Sequence, residues 1–289
     1  MGPAAPTPSA ATTTADVPTR EAGSDAPAQE HPARKVRAGS DPAGPRVLVT
    51  GDSWAGGLGY RGGPGFGRAA ADLLNPSSVL DLTAVGRTVG DTLLRHTEQI
   101  RTFAPQIAVV NMGGTEALVH PSGGLQTLIE RLAPPSWHGV AGLEPRARFS
   151  DDKRKRRRQK VESSVKLTLK RVLIALTGGA PRVPLAEMVG HADELLLLLE
   201  SLAVQVTVIG LPHADNTRFP GTDASLARSE VALVALCARF PNTLHVPVAE
   251  HLVYWSDFLD DHMHLDGPGH RRVAAIAAAA TTTVARSDR

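Results

Sequence analysis

Val47-Leu48-Val49-Thr50-Gly51-Asp52-Ser53-Trp54 reads as a short apolar run that stops at a glycine and delivers a serine. A run of this length without polar alternation marks a parallel strand buried on both faces. In a sheet of such strands, ligands gather beyond the carboxyl ends, which puts Ser53 at the reactive edge. Ser53 is therefore the leading nucleophile candidate. A serine hydroxyl attacks poorly at neutral pH unless an imidazole removes its proton. Far downstream, Asp261-His262-Met263-His264 supplies a carboxylate and an imidazole three residues apart. One loop could thus deliver both the base and the group that orients it.

Outward from β-like residues 46–51, further short apolar runs fall near 79–84, 106–111, 204–210 and 243–248. Between them, helical periodicity covers about 64–74, 90–103, 122–132, 183–202 and 224–239, with an alanine-rich helix over 268–285. This alternation predicts a three-layer α/β/α sandwich around a five-stranded parallel sheet. One segment breaks it. Residues 134–180 carry Lys153-Arg154-Lys155-Arg156-Arg157-Arg158-Gln159-Lys160 and then Val165, Leu169, Val172, Leu173 and Leu176 at helical spacing. The segment reads as an inserted basic amphipathic helix between the third and fourth strands. Residues 1–44, rich in Pro, Ala, Thr and Gly, are expected to form a disordered leader ahead of a catalytic domain over 45–289.

Four blocks share one order: Gly51-Asp52-Ser53, Val89-Gly90-Asp91-Thr92, Asn111-Met112-Gly113-Gly114-Thr115-Glu116, and Asp261-x-x-His264. Together they resemble the SGNH/GDSL hydrolases, with the likeness running from 46 to about 285 apart from the insertion. That resemblance implies a flavodoxin-like layering and an acyl-serine mechanism, with Ser53 as nucleophile, His264 as base and Asp261 as its orienter. It also implies an oxyanion hole from the Ser53 N–H, a glycine N–H in the second block and an asparagine side chain in the third. Gly90 fits the second position, with Gly86 as runner-up. The third block departs, since Thr115 stands where asparagine is expected. Thr115 can donate through its hydroxyl, with a shorter reach. Asn111, two residues ahead of Gly113, could substitute as the donor, but reads rather as the end of a strand.

Each block has a plainer rival. Serine after a strand often caps a helix. His262 and His270 compete with His264, and Asp257, Asp260 and Asp266 read as solvated loop carboxylates. Gly57-Leu58-Gly59-Tyr60-Arg61-Gly62 matches a dinucleotide fingerprint, but starts too far past the strand and runs into Gly63-Pro64-Gly65 where a helix should open. It reads as a loop bordering the acyl site.

The chain has 289 residues, 42% of them hydrophobic, and a formal net charge of +2, so its overall charge names no partner. A single cysteine, Cys237, excludes an internal disulfide and a four-cysteine zinc site. No cluster has metal-ligand spacing, and neither a metal nor another cofactor is expected. Without a basic-then-apolar start, the protein is expected in the cytoplasm. The sequence supports a serine ester hydrolase acting on a small-molecule or lipid acyl ester. The alternative is an intracellular O-acyltransferase drawing on acyl-CoA or an acyl carrier protein, and a third reading is a noncatalytic binding module. The basic stretch 153–176 reads first as a solvated face; it could instead lie on an anionic membrane, clamp the phosphates of coenzyme A or an acyl carrier protein, or act as a lid, while its apolar stripe argues against nucleic acid.

Overall fold

The computed structural model describes residues 44–122 and 142–287. Along the chain the strands are β1 (Arg46–Thr50), β2 (Ser78–Asp81), β3 (Ile107–Asn111), β4 (Val119–Pro121), β5 (Gly179–Pro181), β6 (Gln205–Ile209) and β7 (Thr243–Val246). Five of them form a parallel sheet in the order β2-β1-β3-β6-β7. Because β1 pairs with β2 on one side and β3 on the other, the crossovers reverse direction between β1 and β3. A crevice opens at such a switch point, beyond the carboxyl ends of the strands.

The helices are α1 (Ser53–Gly56), α2 (Phe66–Leu73), α3 (Val89–Phe103), α4 (Gly114–Ala117), α5 (Lys153–Thr177), α6 (Leu185–Ser201), α7 (Thr222–Cys237) and α8 (Gly267–Ser287). The pleat decides which layer each covers. Val47 and Val49 pack with Phe66, Ala70, Val273 and Ala277, so α2 and α8 cover one face. Leu48 points the other way, into a cluster with Ile100, Leu195, Leu199 and Leu233 from α3, α6 and α7. Both faces are buried, which is why the strands read as unbroken apolar runs. Cutting Leu48 back to alanine is expected to cost about 2–5 kcal/mol. Among the described residues, no helix is long and apolar enough to cross a membrane.

The five strands and the helices α2, α3, α6, α7 and α8 match the sequence expectations to within a few residues. Two short helices, α1 and α4, were not foreseen, since a single turn has no periodicity to read. The helix expected over 122–132 lies largely outside the described residues, as does the leader. The insertion is entered through β4 and left through β5. These two strands pair antiparallel, Val119 opposite Pro181 and Pro121 opposite Gly179, making a neck separate from the main sheet.

The insertion's helix is turned the opposite way from a covering lid. At about 100° per residue, Val161, Val165, Val172 and Leu176 fall within about 60° of arc, and all four stand exposed, Leu176 by 76%. The buried face instead carries Ser163, Lys166, Lys170 and Leu173. Lys170 is fully enclosed. Two ion pairs draw the lysines inward: Lys170 Nζ to Glu144 at 2.6 Å and Lys166 Nζ to Glu162 at 3.7 Å.

Candidate active site

At the end of β1 the chain turns straight into α1. Gly51 permits this, because a Cβ there would lie 2.9 Å from the Ala55 Cβ and 3.1 Å from the Asn111 Cβ. Asp52 caps the helix, its Oδ1 accepting from the Trp54 N–H at 2.8 Å. The capping role thus belongs to Asp52, not to Ser53. As first residue of α1, Ser53 keeps its hydroxyl for another partner, and its Oγ lies 2.9 Å from His264 Nε2.

The loop before α8 holds the imidazole from behind. Asp261 is fully buried. Its Oδ2 lies 2.6 Å from His264 Nδ1, while Oδ1 accepts the Met263 and His264 N–H groups, each at 3.0 Å. Burial opposes charge on His264, but the Asp261 carboxylate outweighs it and holds the imidazole above its ordinary pKa of 6.5. Burial likewise opposes charge on Asp261, and the His264 charge and hydrogen bonds prevail, leaving the carboxyl below its usual range. The pair is set to accept a proton at the nitrogen facing Ser53.

The competing residues are occupied elsewhere. His262 Nδ1 lies 2.8 Å from Asp215 Oδ2, and its ring stacks on Trp255 at 4.9 Å. His270 Nδ1 accepts the Phe66 N–H at 3.0 Å, and burial drives its pKa down to about 4, so it stays neutral. The three aspartates are not solvated bystanders. Asp257 is buried and takes the Arg272 Nε at 3.0 Å, Asp260 accepts from the Phe149 N–H at 3.4 Å, and Asp266 accepts the Gly269 N–H at 3.1 Å where α8 opens. The glycines after α1 serve the turn: Gly57 closes that helix with φ +79°, against Gly65. They are not among the residues lining the Ser53 pocket.

On the side where an oxyanion would form, the geometry departs from expectation at Thr115. Its hydroxyl donates to Asp52 Oδ2 at 2.9 Å. A hydroxyl has one proton, and this one is committed. Gly90 stands in the first turn of α3. There the Val89 N–H goes to Glu116 Oε1 at 2.7 Å and the Asp91 N–H to Thr88 Oγ1 at 3.0 Å. Gly90 does not itself line the Ser53 pocket, and a Cβ there would come within 2.9 Å of His191. Gly86, the runner-up, takes φ +67° in the loop after β2 and is likewise absent from the pocket wall.

Asn111, which the sequence offered as a substitute donor but read first as a strand end, does end β3. It is only 5% exposed, lines the same pocket as Ser53 and His264, and neither its Nδ2 nor its Oδ1 has a partner among the described residues. Buried amides are almost always satisfied, so an unpaired one at a pocket wall marks a ligand-facing position. The available signal was polarity at the end of an otherwise apolar strand, Ile107-Ala108-Val109-Val110-Asn111.

The pocket encloses about 540 Å³, counting its open mouth. Leu118, Leu211, Pro212, Phe219, Leu226 and Met263 make it largely apolar. Glu144 and Pro145 complete the wall, so the insertion contributes directly to the cavity beside Ser53.

No protein-family model matches the chain, and no curated protein matches it by sequence. Solved structures do. An α/β hydrolase from the metagenome of Lake Arreo, Spain, is similar with a TM-score of 0.52 at 14% identity, covering 83% of this chain and 96% of that one. A GDSL-like lipase from Bacteroides thetaiotaomicron gives 0.51 at 13% identity, with 83% and 88% covered. An acetylxylan esterase from Geobacillus stearothermophilus gives 0.50 at 14%, with 81% and 92% covered. The chain has the SGNH/GDSL hydrolase fold.

Proposed function

We propose that the protein is a serine hydrolase that cleaves ester-linked acyl groups through an acyl-Ser53 intermediate. The observation that carries this reading is the unbroken relay from Ser53 Oγ through His264 to the buried Asp261. His264 Nε2 takes the hydroxyl proton as Ser53 Oγ bonds to the ester carbonyl carbon. The same proton then passes to the leaving alcohol as the acyl–oxygen bond breaks. Water, deprotonated by His264, attacks the acyl-serine and releases the acid. Charge on the carbonyl oxygen would be met by the Ser53 N–H and by Asn111 Nδ2 in place of Thr115. The similar lipase and acetylxylan esterase folds agree with ester chemistry.

A second reading, transfer to a hydroxyl acceptor, is favoured by one observation. The insertion supplies part of the pocket wall, and Phe149 and Ala147 bring it against Asp260 and Gly59 beside the histidine loop. A covered site excludes water.

Intact-mass measurement tests both. Wild type and Ser53→Ala are mixed with an aryl ester and an acyl thioester, and mass is followed with time. An adduct on wild type alone that water removes supports hydrolysis. An adduct that persists until an alcohol is added supports transfer. Equal turnover by the Ser53→Ala protein would sink the serine mechanism.

A further inference from the structure

The insertion turns Lys170 inward, and the carboxylate it holds lies in the wall of the acyl pocket. Lys170 Nζ pairs with Glu144 Oε1 at 2.6 Å, and the same ammonium sits 5.6 Å from the centre of the Phe219 ring. His120 Nδ1 stands 3.8 Å from that glutamate oxygen. Glu144 and Phe219 both line the pocket that contains Ser53 and His264. The other glutamate oxygen, Oε2, is buried and has no hydrogen-bond partner among the described residues. A carboxylate oxygen withdrawn from water without a donor is costly, and this one belongs to a residue in the wall of a largely apolar cavity.

We propose that Glu144 Oε2 is the polar anchor of the substrate pocket, accepting a hydrogen bond from a hydroxyl group carried by the substrate. The ligand class follows from charge. Lys170 already neutralises Glu144, so an ammonium would add positive charge beside Lys170 and a His264 that becomes cationic during the reaction. A carboxylate would be repelled by Glu144 itself. A neutral O–H donor satisfies Oε2 and adds no charge. The preferred esters are therefore hydroxylated, either on the acyl chain or on the alcohol. The inference rests on the acyl-Ser53 reading and adds to it a preference written by the insertion.

The test compares kcat/KM for matched ester pairs with and without one hydroxyl. One arm places the hydroxyl on a straight acyl chain of an aryl ester, the other on the alcohol of an acetate ester. Wild type should favour the hydroxylated partner by at least about tenfold in one arm, since a site built to bond a hydroxyl discriminates strongly against its absence. The arm that responds identifies which side of the ester reaches Glu144. In Glu144→Leu/Lys170→Met, which removes both members of the buried pair and leaves no lone charge, the ratio should fall towards one. Glu144→Ala is the second variant, and thermal unfolding checks that each protein is folded. A wild-type ratio near one in both arms, or a ratio that survives in the folded variants, would overturn the proposal. Failure of wild type to turn over any ester, with no adduct on Ser53, would instead remove the reading beneath it.

Discussion

Asp52 and Thr115 are joined by a buried hydrogen bond of 2.9 Å, the threonine hydroxyl donating to the carboxylate that also caps α1. One side chain thereby ties the turn after β1 to the turn after β3, the two segments that flank the crevice. Thr115 is a brace between the blocks and does not face an oxyanion with its proton.

Separating brace from donor takes two variants. Thr115→Val leaves Asp52 Oδ2 without its donor and should lower stability by about 1–3 kcal/mol, read by urea unfolding. Asn111→Ala should instead lower kcat by about 10²–10³ with KM little changed, since a lost oxyanion donor acts in the transition state. The reverse pattern, a large kcat loss from Thr115→Val alone, would restore the hydroxyl to the oxyanion hole.

Activity should follow the charge of His264. The base works only when unprotonated, and its pKa is held above 6.5 by Asp261 against the effect of burial. The acidic limb of kcat/KM against pH should therefore have its midpoint above 6.5, with activity rising as pH increases. In Asp261→Asn, burial acts unopposed by the carboxylate charge, so the midpoint should move to lower pH while kcat falls on the order of 10⁴. An unmoved midpoint would mean that another group governs the profile.

Glu116 offers a stability test independent of turnover. Burial, assisted by the nearby Asp52 charge and opposed by the Val89 hydrogen bond, pushes its carboxyl up to about 7 from an ordinary 4.5. Below 4.5 both folded and unfolded chains hold the proton. Between there and about 7 the folded chain keeps it and the unfolded chain loses it, so this group's contribution declines as pH rises. The loss is on the order of 3 kcal/mol across that window. Glu116→Gln retains an acceptor for Val89 and should make the pH slope of unfolding free energy between 4.5 and 7 less negative than in wild type. Identical pH slopes in the two proteins would refute this.

The layers of the fold were readable because both faces of each strand are covered, which writes the strands as apolar runs, and because α3, α6 and α7 each present one apolar side. Ser53, Asp261 and His264 stood out for a related reason: each lies in a short local pattern. What escaped depends on contacts remote in sequence. Thr115 reads as a donor until Asp52 takes its proton. A helical wheel finds the stripe Val165, Val172 and Leu176 but gives no direction for it, and Glu144, outside the helix, decides that Lys170 turns inward. Asn111 looked like a strand end because its freedom from hydrogen bonds is a property of the pocket.

The neck formed by Val119–Pro121 and Gly179–Pro181 holds the two ends of the inserted chain side by side. Whatever lies between them, the main sheet sees the same closed pair of strands, and the entropy of loop closure grows only slowly with length. New sequence could therefore enter or leave at this point as a cassette without altering the register of β3 against β6. Because that cassette also furnishes Glu144 and Pro145 to the cavity, its exchange would be a direct evolutionary route to a new substrate while Ser53, Asp261 and His264 stay untouched.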